Sequence, residues 1–165
     1  MIRRSDAVQV WGELAPVPPE TVRSLGLTSG AAELLVTVGL PLLAEPLFAA
    51  VSPSLVESGP GQGTVHFGTD FATMMCVAPP DGPVHSISEH AGLTTRYVNA
   101  SLGSFVEFLF HTCRVRKHIP DLDDDSIDRE IYDLHAQLNR VDPSAFGNPD
   151  SWWSVIFEQL RNGLL

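Results

Sequence analysis

Lysine is almost missing from this 165-residue chain: Lys117 is the only one, and with nine arginines it faces twenty acidic side chains, a formal charge of −10. A surface field of that sign repels nucleic-acid phosphates and anionic lipid and favours a basic partner. Arginine in place of lysine reads as the coding bias of a GC-rich genome. Cysteine is scarce too. Cys76 and Cys113 are too few for a disulfide framework, and a chain that is 44% hydrophobic builds a core without staples, so both read as buried, reduced thiols. Long apolar runs are also missing. The best, Leu34 to Val51, is interrupted by Gly39, Pro41, Glu45 and Pro46, short of the roughly 18 continuous apolar residues of a membrane helix. After Arg3-Arg4 no apolar segment precedes Trp11-Gly12-Glu13, so no secretion signal is read and the expected location is cytoplasmic.

Motifs of the common chemistries are absent as well. The six histidines are His66, His85, His90, His111, His118 and His135; none has the i, i+4 helical spacing of a zinc pair or a neighbouring CxxC. No Gly-x-Ser-x-Gly elbow occurs. Cys76 lies in the apolar run Phe71 to Val77, where burial raises a thiol's pKa and makes it inert; core packing is therefore a better reading of it than a nucleophile paired with His66 or His85. Gly59 to Gly63 lacks the lysine and hydroxyl of a phosphate loop, and Asp121 to Asp125 lacks the alternating ligands and central glycine of a calcium loop. Asn99-Ala100-Ser101 matches a glycosylation sequon, but the same residues suit a helix start. No catalytic residue, cofactor or metal is expected.

What is present is a change of period along the chain. Thr21 to Leu25 allows a turn of helix closed by Gly26, with Trp11 before it covering an edge of the core. Thr28 or Ser29 caps a short helix through Leu34, Leu35 and Val38, stopped by Gly39 and Pro41. Leu47–Val51, Gly63–Phe67, Phe71–Val77, Pro83–Ile87 and Thr94–Val98 have strand composition, a meander of about four to five strands. Gly68-Thr69-Asp70 and Pro79-Pro80-Asp81-Gly82 are breaks short enough for antiparallel hairpins. From Ser101 onward Leu102, Phe105, Val106, Leu109 and Cys113 share a helix face, and Arg114, Arg116, Lys117 and His118 complement its C-terminus. A second helix carries Ile127, Ile131, Leu134, Leu138 and Val141; a third, opened by Asn148-Pro149-Asp150, carries Trp152, Trp153, Ile156, Phe157 and Leu160.

Asp121, Asp123, Asp124 and Asp125, with Asp128 and Glu130, concentrate negative charge at the start of the second of these helices. Much of that charge serves the helix dipole. The surplus marks these six as the candidate docking residues for a basic partner, with a salt-dependent on-rate.

In order and spacing, these segments resemble the SUKH superfamily (Smi/Knr-like), and most closely its fourth immunity clade. The carriers are Trp11, Leu34-Leu35-Val36-Thr37-Val38-Gly39-Leu40-Pro41, Phe67-Gly68-Thr69-Asp70, Cys76-Val77, Asp81-Gly82-Pro83-Val84, the stretch Tyr97-Val98-Asn99-Ala100-Ser101-Leu102-Gly103-Ser104-Phe105-Val106-Glu107-Phe108-Leu109, and the closing Trp152-Trp153 to Gly163. The resemblance implies one α+β domain over residues 1–165: a twisted, mainly antiparallel sheet of about four to six strands packed against helices, with further helices at the C-terminus. It also implies a bacterial immunity protein of a polymorphic toxin system, without catalytic residues. Its partner would be a cognate protein toxin with a basic surface, such as a nuclease or nucleic-acid deaminase, and not nucleic acid or membrane. Other superfamily members are regulatory or scaffolding proteins, the alternative reading.

Overall fold

The structure, a computed structural model, describes residues 2–57, 63–70, 72–88 and 94–165, apart from the side chains of Ser29 and Asp121. In chain order the described residues form α1 (Arg4–Trp11), β1 (Leu14–Ala15), α2 (Pro19–Ser24), α3 (Ser29–Thr37), β2 (Leu40–Pro41), β3 (Leu43–Ala44), β4 (Phe48–Glu57), β5 (Gly63–Thr69), β6 (Met74–Val77), β7 (Val84–Ser88), β8 (Thr94–Asn99), α4 (Leu102–Arg116), α5 (Asp124–Val141) and α6 (Trp152–Arg161). Short 3-10 turns precede α5 (Ile119–Asp121) and α6 (Pro143–Phe146). Strands β3 to β8 make a six-stranded antiparallel sheet in which each strand pairs with its neighbour in sequence, and β1 and β2 make a separate two-stranded ribbon. The expected α+β class, with a meander followed by helices, is what the chain adopts.

Helix α4 is central, as its apolar faces require: Leu102, Phe105, Val106, Phe108, Leu109, Phe110, Thr112 and Cys113 are all buried. Ser101 starts it, its hydroxyl accepting the Ser104 N–H at 3.1 Å. Phe105 meets Phe48 and Phe67 of the sheet at 5.4 and 5.6 Å between ring centroids, and Phe108 meets Trp153 of α6 at 5.2 Å, within the range of favourable aromatic pairing. Gly68 makes the sheet side of this contact possible. A Cβ there would stand 2.1 Å from the Phe48 ring and 2.8 Å from the Ala49 carbonyl. Gly39 has the same role between α3 and the ribbon, with φ +84° and space for a Cβ only 2.7 Å from Ala15 backbone.

Several local expectations need correction. Helix α3 is not capped by the Thr28 side chain. Its Ala31 N–H is instead met at 3.2 Å by Asp81, from the turn between β6 and β7. That Asp-Gly turn therefore sets the strand register and also caps a helix 50 residues away. Asn148 does not cap α6; its side chain accepts the Asp150 N–H at 2.8 Å in the preceding turn, and the helix begins after Ser151. Gly68 and Thr69 belong to β5, so the hairpin break falls at Asp70 to Thr73 and β6 starts at Met74; Phe71 lies outside the described residues. Strand β4 runs on to Glu57 past Pro53, which sits at a register irregularity between Ala50 and Ser54, where no ladder N–H is needed. Helix α1 and strands β1 to β3 had no sequence signal. Eight residues are too few for an isolated helix, and α1 is held by tertiary bonds: Arg4 donates to the Val38 carbonyl at 2.5 Å and Lys117 to the Val10 carbonyl. Trp11, its last residue, packs edge-on against Phe110 at 5.7 Å.

One polar network ties the C-terminal helices to the sheet. Asp142, 4% exposed at the end of α5, accepts hydrogen bonds from Asn99 Nδ2 at 2.9 Å, from the Ala100 N–H at 2.8 Å and from the Ser144 N–H and hydroxyl. Because the single Ser144 proton points at Asp142, the Tyr97 hydroxyl donates to Ser144 Oγ at 2.6 Å. Asn99, fully buried, turns its carbonyl to the indole N–H of Trp153 at 2.7 Å. Burial raises the Asp142 carboxyl, but the bonds from Ser144, Ala100 and Asn99 outweigh it and hold the group below its ordinary value. A depressed folded-state value contributes stability above the unfolded pKa, and that contribution is lost as pH falls through the folded value. Asp142→Asn therefore destabilises the protein by about 2 kcal/mol at neutral pH. In urea unfolding, the gap between the two proteins narrows below about pH 4; a gap independent of pH contradicts the assignment.

Candidate functional site: an acidic helix face and a polar cleft

Helix α5 is amphipathic. Ile131, Leu134 and Leu138 are buried, and the exposed flank beside them carries Asp124, Asp125, Asp128 and Tyr132, the last 70% exposed. At 100° per residue, Asp124, Asp125, Asp128 and Tyr132 fall within about a 100° arc, a continuous acidic face around one exposed aromatic ring. Glu130, two residues beyond Asp128, points roughly 160° away round the helix. Asp123 has a different task. As the N-cap it accepts the Ser126 N–H at 2.9 Å, and the Ser126 hydroxyl and N–H hold its carboxyl below the ordinary value. The side chain of Asp121 lies outside the described residues. Of the six acidic candidates, then, the helix brings three together, gives one to capping and sets one on the other flank.

The candidates for chemistry fall in one place that spacing could not reveal. In the sheet, Cys76 of β6 stands directly opposite His66 of β5 on one side and His85 of β7 on the other, and His85 in turn faces Tyr97 of β8. Cross-strand partners share a face, so a thiol sits between two imidazoles. Yet Cys76 is 1% exposed and burial pushes its thiol up to about 11. His66 Nε2 lies 2.9 Å from the Gly68 carbonyl, and His85 packs edge-on against Tyr97. Elsewhere His111 approaches the Gln137 amide at 3.1 Å and His135 lies on Phe146 at 4.3 Å. His90 and positions 59–62 of the glycine-rich loop lie outside the described residues. Among the described residues no three His, Cys, Asp or Glu side chains are placed to hold a metal ion, and no helix is long and apolar enough to cross a membrane. At pH 8 a thiol with this pKa is roughly one part in a thousand thiolate. Cys76 should therefore resist maleimide in the folded protein and react only on unfolding; rapid native-state labelling at Cys76 would restore it as a candidate nucleophile.

The sequence carried no signal for a second feature, a cleft of about 370 Å³ between the sheet and α6. Its sheet wall is built from cross-strand pairs: Ser86 faces Arg96, and Ser88 faces Thr94. Its helix wall is Trp152, Val155, Ile156 and Gln159, spaced along one face of α6. Asp70 closes one end, fully engaged: it accepts the Trp152 indole N–H at 2.7 Å, the Thr73 N–H at 2.7 Å and the Ala72 N–H at 3.1 Å. Thr73 Oγ1, also lining the cleft, is buried and has no hydrogen-bond partner among the described residues.

Comparison with curated proteins and with solved structures gives no significant match. The family profile described as SUKH-4 immunity protein, however, matches residues 2–159. That span takes in the meander, the central α4, the acidic face of α5 and nearly all of α6. The chain belongs to the SUKH-4 immunity protein family.

Proposed function

We propose that the protein confers immunity by binding a cognate toxin and blocking it stoichiometrically, inside the bacterial cell that produces the toxin, with no turnover of its own. The observation that carries this reading is the family match over residues 2–159. The toxin is read as a basic protein, of the kind that acts on nucleic acid, and the face it meets as Asp124, Asp125 and Asp128 around Tyr132. Two features support that face. The net charge of −10 steers a basic surface inward, and an exposed tyrosine amid charge is a residue type enriched among interface anchors.

The test is affinity capture of the tagged protein at low and high salt, followed by expression of the captured partner with and without this chain. Immunity predicts one dominant partner at near-equal stoichiometry, toxic alone and harmless together. Reversal of Asp124, Asp125 and Asp128 to lysine should weaken binding at about 0.05 M salt by at least tenfold and much less at about 0.5 M, because the steering is screened. Tyr132→Ala should raise the off-rate at both salts. Rescue at full strength by the triple variant would remove α5 from the interface, and several non-toxic partners would favour a regulatory or scaffolding role.

A further inference from the structure

The cleft between the sheet and α6 has a composition that packing does not explain. Ser86 is 2% exposed in the middle of a strand, and it lines the cleft with Thr73, whose buried hydroxyl has no partner among the described residues. Leaving a buried hydroxyl unpaired is costly, and such groups are ordinarily met by a partner. Directly across the ladder from Ser86 stands Arg96, an exposed guanidinium at the mouth. The carboxylate that also lines the cleft, Asp70, accepts three N–H donors. The polar half of the cleft therefore offers two hydroxyls and the Arg96 guanidinium, while the one carboxylate, Asp70, is held by N–H donors of the protein. The other half, Trp152, Val155 and Ile156, is apolar. A volume of about 370 Å³ is at the lower end of the roughly 300–1,000 Å³ usual for ligand clefts.

We propose that this cleft is a binding site for a small amphipathic monocarboxylate: a single acid group held by Arg96, Ser86 and Thr73, on an apolar body lying against Trp152 and Ile156. With Asp70 bonded to its own N–H donors, the Arg96 guanidinium is the group that selects the charge of the ligand. A single guanidinium matches a single carboxylate, while the net charge of −10 opposes multiply charged anions. The site is separate from the acidic face of α5 and requires an acceptor where that face requires donors, so it stands or falls independently of the immunity reading.

The test is an NMR titration of the full-length protein with acetate, butyrate and hexanoate, with hexylamine as the cationic control. Saturable shifts are expected at the amides of Ser86, Thr94 and Arg96 and at the Trp152 indole N–H. Affinity should rise about fourfold per added methylene that is buried. Hexylamine should give no matching shifts. Arg96→Gln, at an exposed position that leaves the core untouched, should weaken hexanoate about tenfold while the spectrum stays dispersed. The proposal is overturned if no carboxylate saturates, if hexylamine binds as well as hexanoate, or if Arg96→Gln binds hexanoate as tightly as the parent protein.

Discussion

A buried carboxylate is the constraint around which the C-terminal half of this protein is arranged. An unpaired charge in a protein interior costs several kcal/mol or more, so Asp142 is tolerable only where donors converge on it. It receives four, from Asn99, from Ala100 and twice from Ser144. Satisfying it fixes the end of α5 against the junction of β8 and α4. The same Asn99 then spends its remaining oxygen on Trp153, which fixes α6. Both candidate surfaces depend on these bonds. The acidic face rides on α5 and one wall of the cleft is α6, so each is oriented relative to the sheet by a network in which neither takes part.

The fold was legible wherever the determinant was local. The apolar stripe of α4, its Ser101 cap, the Asp123 cap and the Asp81-Gly82 turn could be read from neighbours three or four residues apart. What could not be read depends on partners far along the chain. Asn99 reads as a helix-start residue but bonds to Asp142, 43 residues on, and to Trp153, 54 residues on. Asp81 reads as a turn residue and is also the cap of α3. The short strands β1 to β3 exist because tertiary contacts hold them, and two residues carry no period to detect. For the sites, the acidic sequence run was plain, but helical phase separates Glu130 from Asp128. The cleft was invisible because its walls come from β7, β8 and α6, joined only by the fold.

The two surfaces work at different ranges. Charge on the exposed face of α5 acts through solvent over roughly a Debye length, about 8 Å at physiological ionic strength, and so influences approach before contact. The guanidinium of Arg96 acts against the field of its own protein and is felt only by a group that has reached the hydroxyls beside it. On the two proposals, the first surface would govern encounter with a protein and the second the fit of a small acid.

The order of the sheet has a kinetic consequence. Every strand from β4 to β8 pairs with the one made just before it, so the ladder grows by closing short loops, the contact pattern associated with rapid folding. The long-range closures, Asn99 to Asp142 and Asn99 to Trp153, come last in synthesis as well as in distance. On a ribosome the sheet can be paired while α5 and α6 are still unmade, its apolar face waiting for Trp153. A chain cut short before α6 would keep its strands and lose the lock that sets them, leaving an open, adhesive sheet in place of a finished domain.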